Sequence, residues 1–66
     1  MINEKEAQKI ATEYIEESEA IAGTPRLKEI DENLLVYLVP IIIDGDERGE
    51  IHIHSETGKN LGGAGF

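Results

Sequence analysis

Ten consecutive residues, Leu34 to Ile43, read LLVYLVPIII, and only the Tyr37 hydroxyl interrupts their apolar character. A bilayer span needs about 20 such residues, so the run is too short to cross a membrane. Its β-branched content favours a strand over a helix. As a strand it is apolar on both faces, because successive side chains point to opposite sides. The rest of the chain offers one candidate helix, which can cover only one of those faces.

That helix starts at Asn3, a good N-cap. Glu6 three residues on completes an Asn variant of the capping box, and Ile2 and Ala7 occupy the hydrophobic-staple positions. Ala7, Ile10, Ala11, Tyr14 and Ile15 follow at helical spacing, with Ile21 and Ala22 after a polar gap. Gly23 supplies a stop and Pro25 prevents resumption. The pattern predicts a helix over 4–22, about 28 Å long at ~1.5 Å per residue, with Tyr14 and Tyr37 both in the core. Glu13, Glu16, Glu17 and Glu19 crowd its C-terminal half, where anions oppose the macrodipole. They read as a solvated face, the usual role of a charge run, or as a docking face for a basic partner.

Three strands joined by short turns are expected next: Arg26–Asp31, Leu34–Ile43 and Glu50–His54, with loops at Asp31–Asn33 and Asp44–Gly49. Such connections give an antiparallel meander. Pro40 is unusual in a central strand. The first strand is short, however, so the long one outruns it near Val39 and the missing N–H falls on an unpaired edge. Burying like against like sets Ile43 opposite Ile51 and Ile41 opposite Ile53. The fold class is therefore α+β, one N-terminal helix on a three-stranded antiparallel meander (αβββ). The whole of 1–66 forms a single domain with a flexible glycine-rich tail from about residue 59.

On this reading Leu35, Tyr37, Val39, Ile41 and Ile43 lie under the helix. Leu34, Val36, Leu38, Pro40 and Ile42 face away, beside His52 and His54. A second apolar face of that size exceeds the few hundred Å² that soluble monomers expose. It is the candidate partner-binding surface, to be covered by a second copy, by a protein target, or by the tail folding back through Phe66. A 66-residue domain buries only about 60% of its unfolded surface. Its core typically supplies ~3–5 kcal/mol. Cysteine is absent, so no disulfide adds to that. Self-association is the simplest further source of burial.

Fourteen acidic against six basic residues give a formal net charge of −8. That argues against nucleic acid and against an anionic membrane surface as partners. The N-terminus lacks a basic stretch followed by an apolar one, so a cytoplasmic location is expected.

Candidate chemistry is sparse. His52 and His54 project from one side of a strand, a spacing that can hold zinc, copper or nickel. Two histidines do not make a site, and a third ligand would have to come from the 44–50 loop or a second copy. Asp44 and Asp46 match the first positions of a calcium loop, but Arg48 occupies the fifth. The competing reading is a hairpin loop with solvating charges. His54, Ser55 and Glu56 are adjacent in sequence, which does not make a triad geometry. No nucleotide-binding glycine motif is present. No cofactor and no enzymatic activity are expected.

Glu4-Lys5-Glu6-Ala7-Gln8-Lys9-Ile10-Ala11 resembles the opening helix of PepSY domains. Tyr37-Leu38-Val39 resembles a strand of that family, and Gly49 to Lys59 resembles its closing strand and Thr-Gly turn. Some bacterial immunity proteins share the same opening and final turn, but usually add a Trp-bearing strand that this chain lacks. The PepSY resemblance implies a small α+β module without catalytic residues. It also implies a role of the kind proposed for those domains, inhibition or chaperoning of peptidases. The function expected is thus a non-enzymatic protein-binding or inhibitor-like module, the alternative being an acidic cation-binding protein that uses His52, His54 and the 44–50 loop.

Overall fold

The computed structural model describes residues 1–65. Among them, one helix, α1 (Glu4–Tyr14), is followed by five strands: β1 (Ala20–Ala22), β2 (Arg26–Asp31), β3 (Leu34–Ile43), β4 (Asp46–His54) and β5 (Asn60–Gly65). The α+β class and the antiparallel meander are as the sequence implies, but the sheet has five strands rather than three. Its order is β1-β3-β4-β5, with β2 also pairing to β3.

The capping box starts α1 where expected. Asn3 Oδ1 accepts from the Glu6 N–H at 2.8 Å, and Glu6 Oε1 accepts from the Asn3 N–H at 3.3 Å. The helix stops at Tyr14, eight residues before the expected Ala22. Its last turn carries no basic residue, and Glu13, Glu16 and Glu17 oppose the macrodipole there. The acidic run is therefore a terminus and a loop, not a helix face. Tyr14 is 53% exposed, contrary to its expected core position.

Ala20–Ala22 instead gains a strand partner: Ala20, Ile21 and Ala22 pair with Ile43, Ile42 and Ile41. β2 pairs lower down, from Arg26 opposite Leu38 to Asp31 opposite Leu34. β1 and β2 thus form one interrupted edge along β3, broken at Gly23-Thr24-Pro25. Pro40 sits at the break. Its carbonyl accepts from the Gly23 N–H at 2.8 Å, and the N and O of a strand residue point the same way. The absent N–H therefore faces the handover between β1 and β2, so β3 does outrun β2, although β1 then takes up the edge.

The β3–β4 turn is tighter than expected. Asp44 and Gly45 have φ of 52° and 80°, the pair of positive values that a two-residue type I′ hairpin requires. Ile51 consequently pairs with Val39 and Ile53 with Tyr37, four positions from the expected register, with Arg48 bulged out between Gly49 and Glu47. An even shift preserves which side each residue faces. Of the expected residues, Tyr37, Val39, Ile41, Ile51 and Ile53 pack against Ala7 and Ala11 of α1, whereas Leu35 and Ile43, also expected under the helix, are only half-buried and lie outside this cluster. The Tyr37 hydroxyl donates to the Ile2 carbonyl at 3.0 Å, and the Ile2 N–H donates to the Ser55 carbonyl at 2.7 Å, fixing the start of α1 to the sheet.

The tail is not loose through its described part. Asn60 pairs with Ile53, Gly63 with Ile51 and Gly65 with Gly49, making β5 an edge strand beside β4 rather than a flap over the second face. Phe66, expected as an anchor for such a flap, lies outside the described residues.

Candidate functional site: the sheet face opposite the helix

The second face has a column organisation set by the register. β3 contributes Leu34, Val36, Leu38, Pro40 and Ile42 along its centre. On one side stand Lys28 opposite Val36, Arg26 opposite Leu38 and Ile21 opposite Ile42. On the other stand His54, His52, Glu50 and Glu47, opposite Val36, Leu38, Pro40 and Ile42. Cross-strand partners share a face, so an apolar spine runs between two polar columns.

The five sequence-predicted residues all lie on this face, but none is fully open. Val36 is only 2% exposed, and the other four are half-buried. The most open apolar side chain is Ile21, at 62%. The sequence reading missed it because 20–22 was taken as helix. A Cβ on Gly23 would lie 2.8 Å from both Ile42 Cδ1 and Pro40 Cγ. These two side chains therefore fill the break between β1 and β2 and continue the spine toward Ile21.

Polar contacts on the face are few. Arg26 and Glu47, on either side of β3, approach to 3.9 Å. Exposed pairs at that separation contribute little, so this one does not seal the surface. His52 Nε2 lies 3.0 Å from Glu50 Oε1. His54 Nδ1 accepts from the Glu56 N–H at 3.0 Å and more weakly from the Thr57 N–H at 3.4 Å. Accepting at Nδ1 puts the proton of the neutral ring on Nε2, which removes the lone pair Nε2 would offer a metal. Asp44 and Asp46 sit at the far end of β4, about 20 Å along the strand from His52 at ~3.3 Å per residue. Asp46 is turned to Arg48, 3.9 Å away. The candidate ligands His52, His54, Asp44 and Asp46 are thus not brought together, and no group of three or more metal-ligating side chains occurs among the described residues.

Ser55 is also removed from chemistry. It is 1% exposed, and its Oγ has no hydrogen-bond partner among the described residues. A hydroxyl enclosed in this way cannot meet a substrate, and its role is carried by its backbone, which donates to the Leu35 carbonyl at 3.1 Å. No described helix is long and apolar enough to cross a membrane. Comparison of the chain with protein-family models, with curated proteins and with solved structures gives no match.

Proposed function

We propose that the chain is a non-enzymatic protein-binding module whose binding surface is the sheet face opposite α1. The observation that carries this reading is the apolar spine of β3 continued by Ile21, with no second layer of secondary structure over it among the described residues. Apolar sheet faces are stable when another layer packs on them. The resemblance of the Glu4–Ala11 and Gly49–Lys59 segments to PepSY domains supports the same reading, since those modules are proposed to act by contacting peptidases.

The test is a selection. A displayed peptide library is panned on the wild-type chain and counter-selected on the Ile21→Asp/Ile42→Asp variant, whose fold is checked by far-UV circular dichroism. Clones that bind only the wild type are expected, with amide shifts mapping to Ile21, Leu38 and His52. Recovery only of clones that bind both proteins equally would remove the reading. A cation-binding function has no comparable support, given the engaged Nδ1 of His54.

A further inference from the structure

Resting on that reading, we infer that the partner is an acidic peptide segment extended along β3, with one Asp or Glu side chain held by the row Lys28, His54 and Lys59 and its apolar residues on the spine beyond.

The register builds that row. Lys28, Val36 and His54 are successive cross-strand partners on β2, β3 and β4. The His54 N–H donates to the Lys59 carbonyl at 2.8 Å, and Asn60 lies opposite Ile53, so Lys59 falls beside His54 on the same face. At ~4.8 Å between strands, the Cα atoms of Lys28 and Lys59 lie about 10 Å and about 5 Å from that of His54. Both lysines have flexible four-carbon stems, so their ammonium groups can converge on one ligand over the row. Val36 is 2% exposed although no described element lies over this face. Its neighbours Lys28, His54, Leu34 and Leu38 are the side chains placed to cover it. Lys28 itself is exposed, which fits a stem laid on apolar surface with its charged head in water.

The row presents donors without acceptors. Lys28 and Lys59 form no ion pair among the described residues. His54 adds an Nε2–H, because the Glu56 and Thr57 N–H groups occupy Nδ1 and so set its tautomer. Acidic side chains nearby are already engaged. Glu50 Oε1 lies 3.0 Å from His52 Nε2, Asp31 Oδ1 accepts from the Asn33 N–H at 2.8 Å, and Glu56 Oε2 lies 3.5 Å from the Met1 amine. A carboxylate is the complement of such a donor set, since it only accepts and its bonds to cations are roughly twice as strong as neutral ones.

The next rows ask for something different. Arg26 and His52, on either side of Leu38, have Glu47 and Glu50 within the chain. Beyond them lie Pro40, Ile42 and Ile21. A matching ligand therefore carries one acidic residue and then apolar ones at alternate positions, which alone share a face. Val36 to Ile42 spans about 20 Å at ~3.3 Å per residue, the reach of an extended segment of about seven residues. The formal charge of −8 repels anions at long range, but exposed charges beyond ~8 Å are largely screened at physiological ionic strength. One carboxylate at the row meets the local donors. A polyanion running along the face would meet Glu50 and Glu47.

Clones from the selection described above that bind only the wild type are expected to share an Asp or Glu beside apolar residues at alternate positions. One such peptide is synthesised with an amidated C-terminus, together with its acid-to-amide counterpart, and both are titrated calorimetrically. The counterpart should bind about tenfold more weakly. Lys28→Gln and Lys59→Gln, each checked by circular dichroism, should weaken the acidic peptide several-fold and leave its counterpart unchanged. Long-range 1H–15N spectra at about pH 8, where imidazoles are neutral, should show the His54 proton on Nε2 and a shift of that nitrogen on binding. Equal affinity for the two peptides, lysine variants that weaken both alike, or a proton on Nδ1 would overturn the acidic partner. Binding that requires a free C-terminal carboxylate would overturn the side-chain source of the anion. In each of these cases discrimination against Ile21→Asp/Ile42→Asp keeps the binding face. If no clone discriminates, both readings fall.

Discussion

Replacing Ile53 by alanine is expected to leave the chain without a cooperative thermal transition. Ile53 is fully buried and lies in the layer between the sheet and α1, opposite Tyr37 on β3 and Asn60 on β5. Truncating such a side chain typically costs 2–5 kcal/mol, the lost transfer energy plus the cavity, on the order of the whole ~3–5 kcal/mol that a core of this size supplies. Ile53→Val, at roughly 0.5–1.5 kcal/mol, should stay folded with a lowered midpoint. Circular dichroism melts of the two variants beside the wild type measure both effects. An unchanged midpoint for Ile53→Ala would mean that the core lies elsewhere.

The second large effect is expected at Gly63. This residue lies opposite Ile51, and a Cβ there would collide with the backbone carbonyl of Glu50 and come within 3.1 Å of Ile51 Cα. Backbone cannot swing aside as a side-chain tip can. Gly63→Val should therefore lift β5 from β4 at a cost of about 1–3 kcal/mol, the usual range for overpacking. Alternate β4 amides point toward β5, as the His54 amide does in donating to the Lys59 carbonyl at 2.8 Å. Hydrogen exchange at Glu50 and His52 should quicken while exchange at Ile51 and Ile53, which face β3, changes less. Retained protection at all four would show that β5 tolerates the side chain.

The parts of the fold legible in the sequence were those fixed by local chemistry or by parity. Asn3 and Glu6 announce the start of α1 because both cap bonds are made within four residues. The assignment of alternate residues of LLVYLVPIII to two sides survived a four-position error in register because the error was even, although Val36 on the side away from the helix is buried and Leu35 and Ile43 on the helix side are only half-buried. The Asp44-Gly45 dipeptide carried the hairpin signal, but the charges after it suggested a longer loop. The end of α1 was hidden for a different reason. Ile21 and Ala22 continue a helical pattern, and only the demand of Ile41–Ile43 for an edge partner, a contact distant in sequence, turns them into a strand. β5 had no signal of its own, since glycine is depleted in strands, and it is held by the strand beside it. The candidate face was legible as a column on β3. Its most exposed residue, Ile21, was not, because it belongs to the strand that propensity concealed.

The break at Pro40 also bears on the order of assembly. β2 with β3, and β3 with β4, are each joined by two-residue turns, so their pairing closes only small loops. β1 must find partners about twenty residues away, a contact with a larger closure entropy. Gln8 Nε2 donates to the Ala22 and Gly23 carbonyls at 3.1 and 3.0 Å, tying α1 to β1. The chain is therefore built to fold from its middle outward, with the central hairpins as nucleus and α1–β1 arriving as one late unit, an order that high φ-values at Val39 and low ones at Ala22 would register.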